Sequence, residues 1–208
     1  MEQEAARRLI VSLAASLFAR GFSVGSAGNI SVRLDDGYLI TPTNSCLGRL
    51  DPETLTRLDT EFRHVAGAAP SKEVFMHRAF YRARPCKAVV HLHSTMATAV
   101  SCLPDLDATN PIPPFTPYFV MRIGARLPVL PYWRPGDPGM EPAIFAAAAD
   151  ARAVLLANHG PVVSGESLID AVYAAEELEE AARLFVLLRG MAARPLTPAQ
   201  VAELLPSR

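Results

Sequence analysis

The sequence predicts an α/β fold in which a central sheet, mixed or mostly antiparallel, carries helices on both faces. Two observations predict it. Segments with apolar residues at helical spacing interleave with short runs of β-type residues along the whole chain. An Asp35-Asp36-Gly37 turn also joins two alternating segments, Ile30 to Leu34 and Tyr38 to Thr41, which signals a hairpin and therefore antiparallel pairing. No internal repeat and no linker divides the 208 residues, so one domain spanning 1–208 is expected.

Leu9, Ile10, Leu13, Ala14 and Leu17 place a helix over residues 3–20, with Gly21 as its stop. The small-residue loop from Gly25 to Asn29 leads into the hairpin, and residues 54–66 carry a weaker signal for a second strand pair. Pro70-Ser71 opens a helix to about Arg84, with Ser71 as N-cap, Pro85 beyond its end, and Met76, Ala79, Phe80 and Ala83 as its apolar stripe. A strand through Ala88-Val89-Val90 follows, then a short helix from Thr95 to Leu103. Residues 104–117 are a Pro-rich connection, and Phe119 to Ile123 reads as extended. Val129-Leu130 is a short strand and 134–138 a turn. A helix covers 139–150, and Ala153–Ala157 and Pro161–Ser164 are strands. Ser167 caps a long helix to about Arg189, and a last helix follows Thr197-Pro198.

Half the residues are hydrophobic and 20% are charged, the balance of a globular protein. A formal net charge of -1, with no basic or acidic block, points away from nucleic acid and from anionic membrane surfaces. No apolar run reaches the ~20 residues of a membrane span, and the N-terminal segment lacks the core of a signal peptide. A cytoplasmic protein is expected. Cys46, Cys86 and Cys102, odd in number and without C-x-x-C spacing, read as packed free thiols rather than a disulfide framework or a thiolate metal site.

His91-Leu92-His93 is the most informative motif. Residues two apart on a strand share a face, so two imidazoles leave one side together, about 6 to 7 Å apart along the strand. Glu73 upstream and His159, in Ala157-Asn158-His159-Gly160, supply further ligand types. Three imidazoles and a carboxylate describe a zinc site with catalytic potential, although such donors also accept manganese or cobalt. Glu73 falls in the first turn of its helix, where a carboxylate also serves as a simple cap. Ser71 and Lys72 beside it bring a hydroxyl, an ammonium and free backbone amides together, a cradle suited to phosphate. The Gly28-Asn29 and Thr43-Asn44 loops add donors of the same kind. His77, one turn after Glu73, reads as a packing or hydrogen-bonding residue, and His64 as solvent-exposed.

Taken together, Gly28-Asn29-Ile30-Ser31, Ile40-Thr41-Pro42-Thr43, Ser71-Lys72-Glu73, Val90-His91-Leu92-His93-Ser94 and Asn158-His159-Gly160 resemble the class II aldolase and adducin-head family over about residues 5–190. Within it, Leu47 to Pro52, Phe115 to Met121, Tyr132 to Pro138 and Glu176 to Glu180 look like the 3-oxo-tetronate 4-phosphate decarboxylases. The resemblance implies a class II aldolase-like fold and a zinc-type site on His91, His93 and His159. It gives Glu73 proton transfer and an occasional place as fourth ligand. It places the substrate phosphate on Gly28, Asn29, Thr43, Asn44, Ser71 and Lys72. The implied reaction is decarboxylation of a phosphorylated small sugar acid to dihydroxyacetone phosphate and carbon dioxide through a metal-stabilised enediolate. The alternative is aldolase or 4-epimerase chemistry on fuculose 1-phosphate or ribulose 5-phosphate, which calls for a second acid; Tyr118, Tyr132 and Tyr173 are available. Relatives assemble as tetramers, so a homo-oligomer is expected. Two positions depart from the wider family: Lys72 replaces a small or hydroxyl residue, and Met96 replaces a histidine. Arg122, Arg126 and Arg134 are candidate carboxylate clamps.

Overall fold

Gly37 closes the expected hairpin: β1 (Asn29–Leu34) pairs antiparallel with β2 (Gly37–Ile40), Leu34 facing Gly37 and Ser31 facing Ile40. The structure, a computed structural model, describes residues 2–205. Residue 1 and residues 206–208, the ends of the expected domain, lie outside it. The remaining strands are β3 (Thr56–Leu58), β4 (His64–Ala66), β5 (Ala88–His91), β6 (Val129–Leu130), β7 (Ala153–Leu156) and β8 (Gly160–Gly165). All eight form one sheet in the order β4-β3-β2-β1-β5-β8-β7-β6, antiparallel throughout except for the β6–β7 pair. The mostly antiparallel sheet is the expected one.

Strand alternation divides the core in two. Ile30, Val32, Ala88, Val90, Leu155 and Val163 face one side. Against them pack α1 (Gln3–Ala19), α3 (Thr95–Ser101), α4 (Pro117–Ile123) and α6 (Leu168–Leu188). Val89, Val154, Leu156 and Val162 face the other side, under α2 (Val74–Ala83) and α5 (Glu141–Asp150). Arg78 on α2 reaches the Glu141 carboxylate on α5, Nε to Oε1 at 2.7 Å, and ties the two covering helices together. The helix α7 (Pro198–Leu204) starts on a capping box between Thr197 and Gln200.

Three local expectations are corrected. Residues 117–123 form the helix α4 rather than an extended segment: Thr116 accepts from the Phe119 amide and Pro117 sits at the first turn, a start signal that outweighs the β-type residues Phe119 and Val120. The helix α2 begins at Val74, not at Ser71, so Glu73 is its N-cap residue instead of a member of the first turn. Cys102 is exposed at the end of α3, whereas Cys86 is packed, its thiol pushed up to about 11 by burial.

Candidate metal centre

β1 and β5 run antiparallel with Asn29 opposite His91, so the start of one strand and the end of the other meet at one edge of the sheet. His91 is the last residue of its strand, and Ser94 already caps α3. His93 therefore lies past the ladder, freed from strand spacing. The two rings lean together, with centroids 4.9 Å apart and Nε2 atoms 3.1 Å apart. His159, buried at the turn between β7 and β8, brings its Nε2 to 3.0 Å from that of His93. Two glycines allow this crowding. Gly28 has φ +79°, and a Cβ there would lie 2.8 Å from the His91 carbonyl oxygen; Gly160 has φ +150°, and a Cβ there would lie 2.4 Å from that of Leu92.

The donor set fits a metal ion. Tetrahedral ligands about 2.1 Å from one ion have their nitrogens about 3.4 Å apart, near the spacing seen here. His91 Nδ1 donates to the Pro161 carbonyl at 2.9 Å, which leaves the Nε2 lone pair facing the cluster. Burial holds the His91 imidazole well below its ordinary value, with His159 and His93 adding to the effect. His93 is lowered by burial and then by His159, and His159 by burial, while Glu73 opposes both shifts. Three neutral imidazoles with convergent lone pairs repel one another unless a cation sits between them.

Glu73 does not behave as a helix cap. Its side chain accepts no amide of α2. Oε2 instead accepts from Asn29 Nδ2 at 2.8 Å and lies 3.6 Å from His91 Nε2, while Oε1 lies 3.5 Å from His159 Nε2. The carboxylate thus faces the imidazole cluster.

A cavity of about 270 Å³ opens beside it, lined by Gly28, Asn29, Thr43, Asn44, Ser71, Lys72, Glu73, His93 and His159. Together with His91, buried behind His93, these are all the residues singled out for the site. The cradle differs in one respect from expectation. The Glu73 amide donates to Ser71 Oγ at 3.2 Å and that of Val74 to the Ser71 carbonyl at 3.3 Å, so neither amide is free. Ser26, Ala27, Pro42, Pro135 and Gly136 also line the cavity and were not anticipated, because a small-residue loop and a Pro-Gly turn carry no positional signal. Tyr118, Tyr132 and Tyr173 are exposed and do not line this cavity, nor do Arg122, Arg126 and Arg134. Arg122 and Arg126 pair instead with Asp170 and Asp150. Met96 packs against the core, and its amide donates to Glu179.

Residues 8–186 match the model of the Class II Aldolase and Adducin N-terminal domain. This chain belongs to the class II aldolase and adducin family. Among relatives of this class II aldolase-type chain, the 3-oxo-tetronate 4-phosphate decarboxylase of Escherichia coli K12 is 52% identical over 204 residues, covering 97% of this chain and 96% of that one. The L-fuculose phosphate aldolase of the same strain is 33% identical over 188 residues, 89% of this chain and 85% of that one. In structure, YgbL of Klebsiella pneumoniae superposes with a TM-score of 0.95 at 49% identity, covering 99% of this chain and all of that one. No helix among the described residues is long and apolar enough to cross a membrane.

Proposed function

We propose that this class II aldolase-type chain is a carboxy-lyase that converts 3-oxo-tetronate 4-phosphate to dihydroxyacetone phosphate and carbon dioxide, working as one domain over residues 1–208. The observation that carries the reading is 52% identity to a decarboxylase of that name along nearly the full length of both chains. The aldolase reading rests on 33% identity, and none of the three tyrosines considered for the extra acid lines the cavity.

His91, His93 and His159 would hold the metal ion, with Glu73 at its side. Zinc is proposed, with manganese and cobalt as the alternatives that the same donors accept. A bound divalent ion supplies Lewis-acid stabilisation of the negative charge that develops as the carbon–carbon bond breaks. Ser71, Lys72, Thr43, Asn44, Gly28 and Asn29 take the phosphate end. Lys72 is the one Lys or Arg lining the cavity, and no carboxylate lies within 4.0 Å of its ammonium among the described residues. With the phosphate anchored there, the carboxylate end is directed toward the histidines. The C1–C2 bond breaks, C1 leaves as carbon dioxide, and C2 receives a proton from Glu73. Oε1 is suited to carry that proton because Oε2 is occupied by Asn29.

Two further proposals accompany this reading. The protein is cytoplasmic, where a charged phosphate ester is retained by the cost of crossing a bilayer. It is also a homotetramer, supported by Tyr118 and Met121 on α4 and Ile169 and Tyr173 on α6, large apolar side chains left exposed.

The test is product analysis over a panel of phosphorylated four- and five-carbon acids and ketoses. Equal amounts of carbon dioxide and dihydroxyacetone phosphate from 3-oxo-tetronate 4-phosphate are expected. His93→Ala should lower turnover by about 10²- to 10³-fold or more with the fold retained. An aldehyde released from fuculose or ribulose phosphate, without carbon dioxide from the acid, would move the assignment to the aldolases.

A further inference from the structure

A line of buried polar groups runs from Glu73 and Asn29 away from the cavity and through the core, and the reaction above makes no use of its inner members His77, Ser31 and Tyr81. Asn29 Nδ2 donates to Glu73 Oε2 at 2.8 Å. Asn29 Oδ1 faces His77 Nε2 at 2.5 Å, His77 Nδ1 faces Ser31 Oγ at 2.7 Å, and Ser31 Oγ meets the Tyr81 hydroxyl at 2.8 Å. Asn29, Ser31, His77 and Tyr81 are all buried. Glu73, His77 and Tyr81 are spaced four apart and stack along one face of α2, while Asn29 and Ser31, two apart, share the face of β1 beneath it. The line extends about 12 Å along the helix axis.

Chemistry fixes the direction of every bond in it. A carboxylate only accepts, so the Asn29 amide must turn its NH2 toward Glu73 and its oxygen toward His77. His77 must then carry its proton on Nε2. Burial holds this imidazole down at about 3, so it has one ring proton, and Nδ1 accepts from the Ser31 hydroxyl. With its hydrogen committed there, Ser31 Oγ accepts from Tyr81. Asn29 Nδ2 places its second hydrogen on Ser71 Oγ at 3.4 Å, and along the line from Tyr81 to Glu73 every hydrogen points toward Glu73. Buried polar groups are costly unless bonded, and apolar side chains would pack this helix on this strand without that cost.

We propose that His77, backed by Ser31 and Tyr81, is a positioning residue: it locks the Asn29 amide, and through it holds the Glu73 carboxylate in place beside the imidazole cluster. This inference rests on the reading of Glu73 as the proton-transfer group. Outer hydrogen-bond partners of this kind orient groups at metal centres, and losing one typically costs about 10- to 100-fold in activity.

The experiment combines kinetics of the metal-loaded protein on 3-oxo-tetronate 4-phosphate with nitrogen NMR of histidine-labelled protein. His77→Leu is expected to lower kcat by about 10- to 100-fold while KM stays within about threefold. His77→Gln places an amide NH2 where Nε2–H was and is expected to restore most of kcat, a rescue that a purely structural role would not predict. Ser31→Ala, which releases the tautomer, is expected to cost kcat severalfold, and it carries the test if His77→Leu does not fold. The NMR spectrum is expected to show His77 protonated on Nε2 whatever substrate the protein uses. Unchanged kcat in His77→Leu or in Ser31→Ala, equal losses in His77→Gln and His77→Leu, or an Nδ1–H tautomer would each overturn the proposal. If the wild type releases no carbon dioxide but His77 is protonated on Nε2 and crystals of His77→Leu show Glu73 displaced, the decarboxylase reading fails while the positioning line is supported.

Discussion

His77 shows how one residue ties stability to the chemistry. It is buried and neutral, its imidazole held at about 3 by desolvation, with His91 adding to the shift. In the unfolded chain the same ring takes up a proton near pH 6.5. Between those two values the unfolded state binds the extra proton, so stability rises with pH. Acidifying the metal-free protein below pH 6.5 is therefore expected to reduce its unfolding free energy, by up to about 1.4 kcal/mol per pH unit from His77 alone. His91, His93 and His159 are shifted the same way and steepen the fall. Urea denaturation at a series of pH values measures the slope. His77→Gln should remove about one proton from it, and an identical slope in that variant would show that His77 is not buried neutral. Most of the residues that the structure gathers at the candidate site were legible in the sequence, since Glu73, Ser71, Lys72 and the three histidines each announce themselves by chemical type. Their mutual geometry was not. Two-residue spacing put His91 and His93 on one side, but nothing local says that the ladder stops between them or how closely their ring nitrogens approach.

At the scale of elements, α3 is held at its start by a residue from far along the chain. Glu179 on α6 is buried, and its two oxygens accept the amides of Met96 and Ala97 at 2.8 and 2.9 Å. Ser94, at the N-cap, makes no capping bond itself, and its buried hydroxyl has no partner among the described residues. The carboxylate thus does the work of the local cap and anchors the helix that directly follows His93. Glu179→Ala leaves two amides without an acceptor and is expected to cost about 2 kcal/mol, measurable as a lowered denaturation midpoint. A loss below about 0.5 kcal/mol would mean that Ser94 rotates to replace it. This contact spans 82 or more residues, so no capping signal near Ser94 could have revealed it. Signals that act within one turn were readable: the Gly37 hairpin, the Ser167 cap of α6, which accepts from Asp170, and the Thr197 cap of α7. The Thr116-Pro117 start of α4 was equally local, and the apolar, β-type run after it masked the signal.

For the molecule as a whole, the sheet order brings β1, β5 and β8 side by side, and those three strands deliver Asn29, His91 and, at the β7–β8 turn, His159. Hairpin and alternation patterns foretold an antiparallel sheet but not its order, because strand neighbours far apart in sequence are chosen by packing. The proposed tetramer belongs to this scale too. Light scattering on the purified protein should give the mass of four chains, and Tyr173→Glu, on the exposed face of α6, should lower it. A monomer at micromolar concentration would remove the proposal.

Three imidazoles sharing one divalent ion carry the proposed chemistry. X-ray absorption of the zinc-loaded protein measures that sphere directly. Three imidazoles at about 2.0–2.1 Å with oxygen completing the sphere, and one imidazole fewer in His93→Ala, are the predicted result. A sphere of sulfur at about 2.3 Å, or one unchanged by His93→Ala, would contradict it.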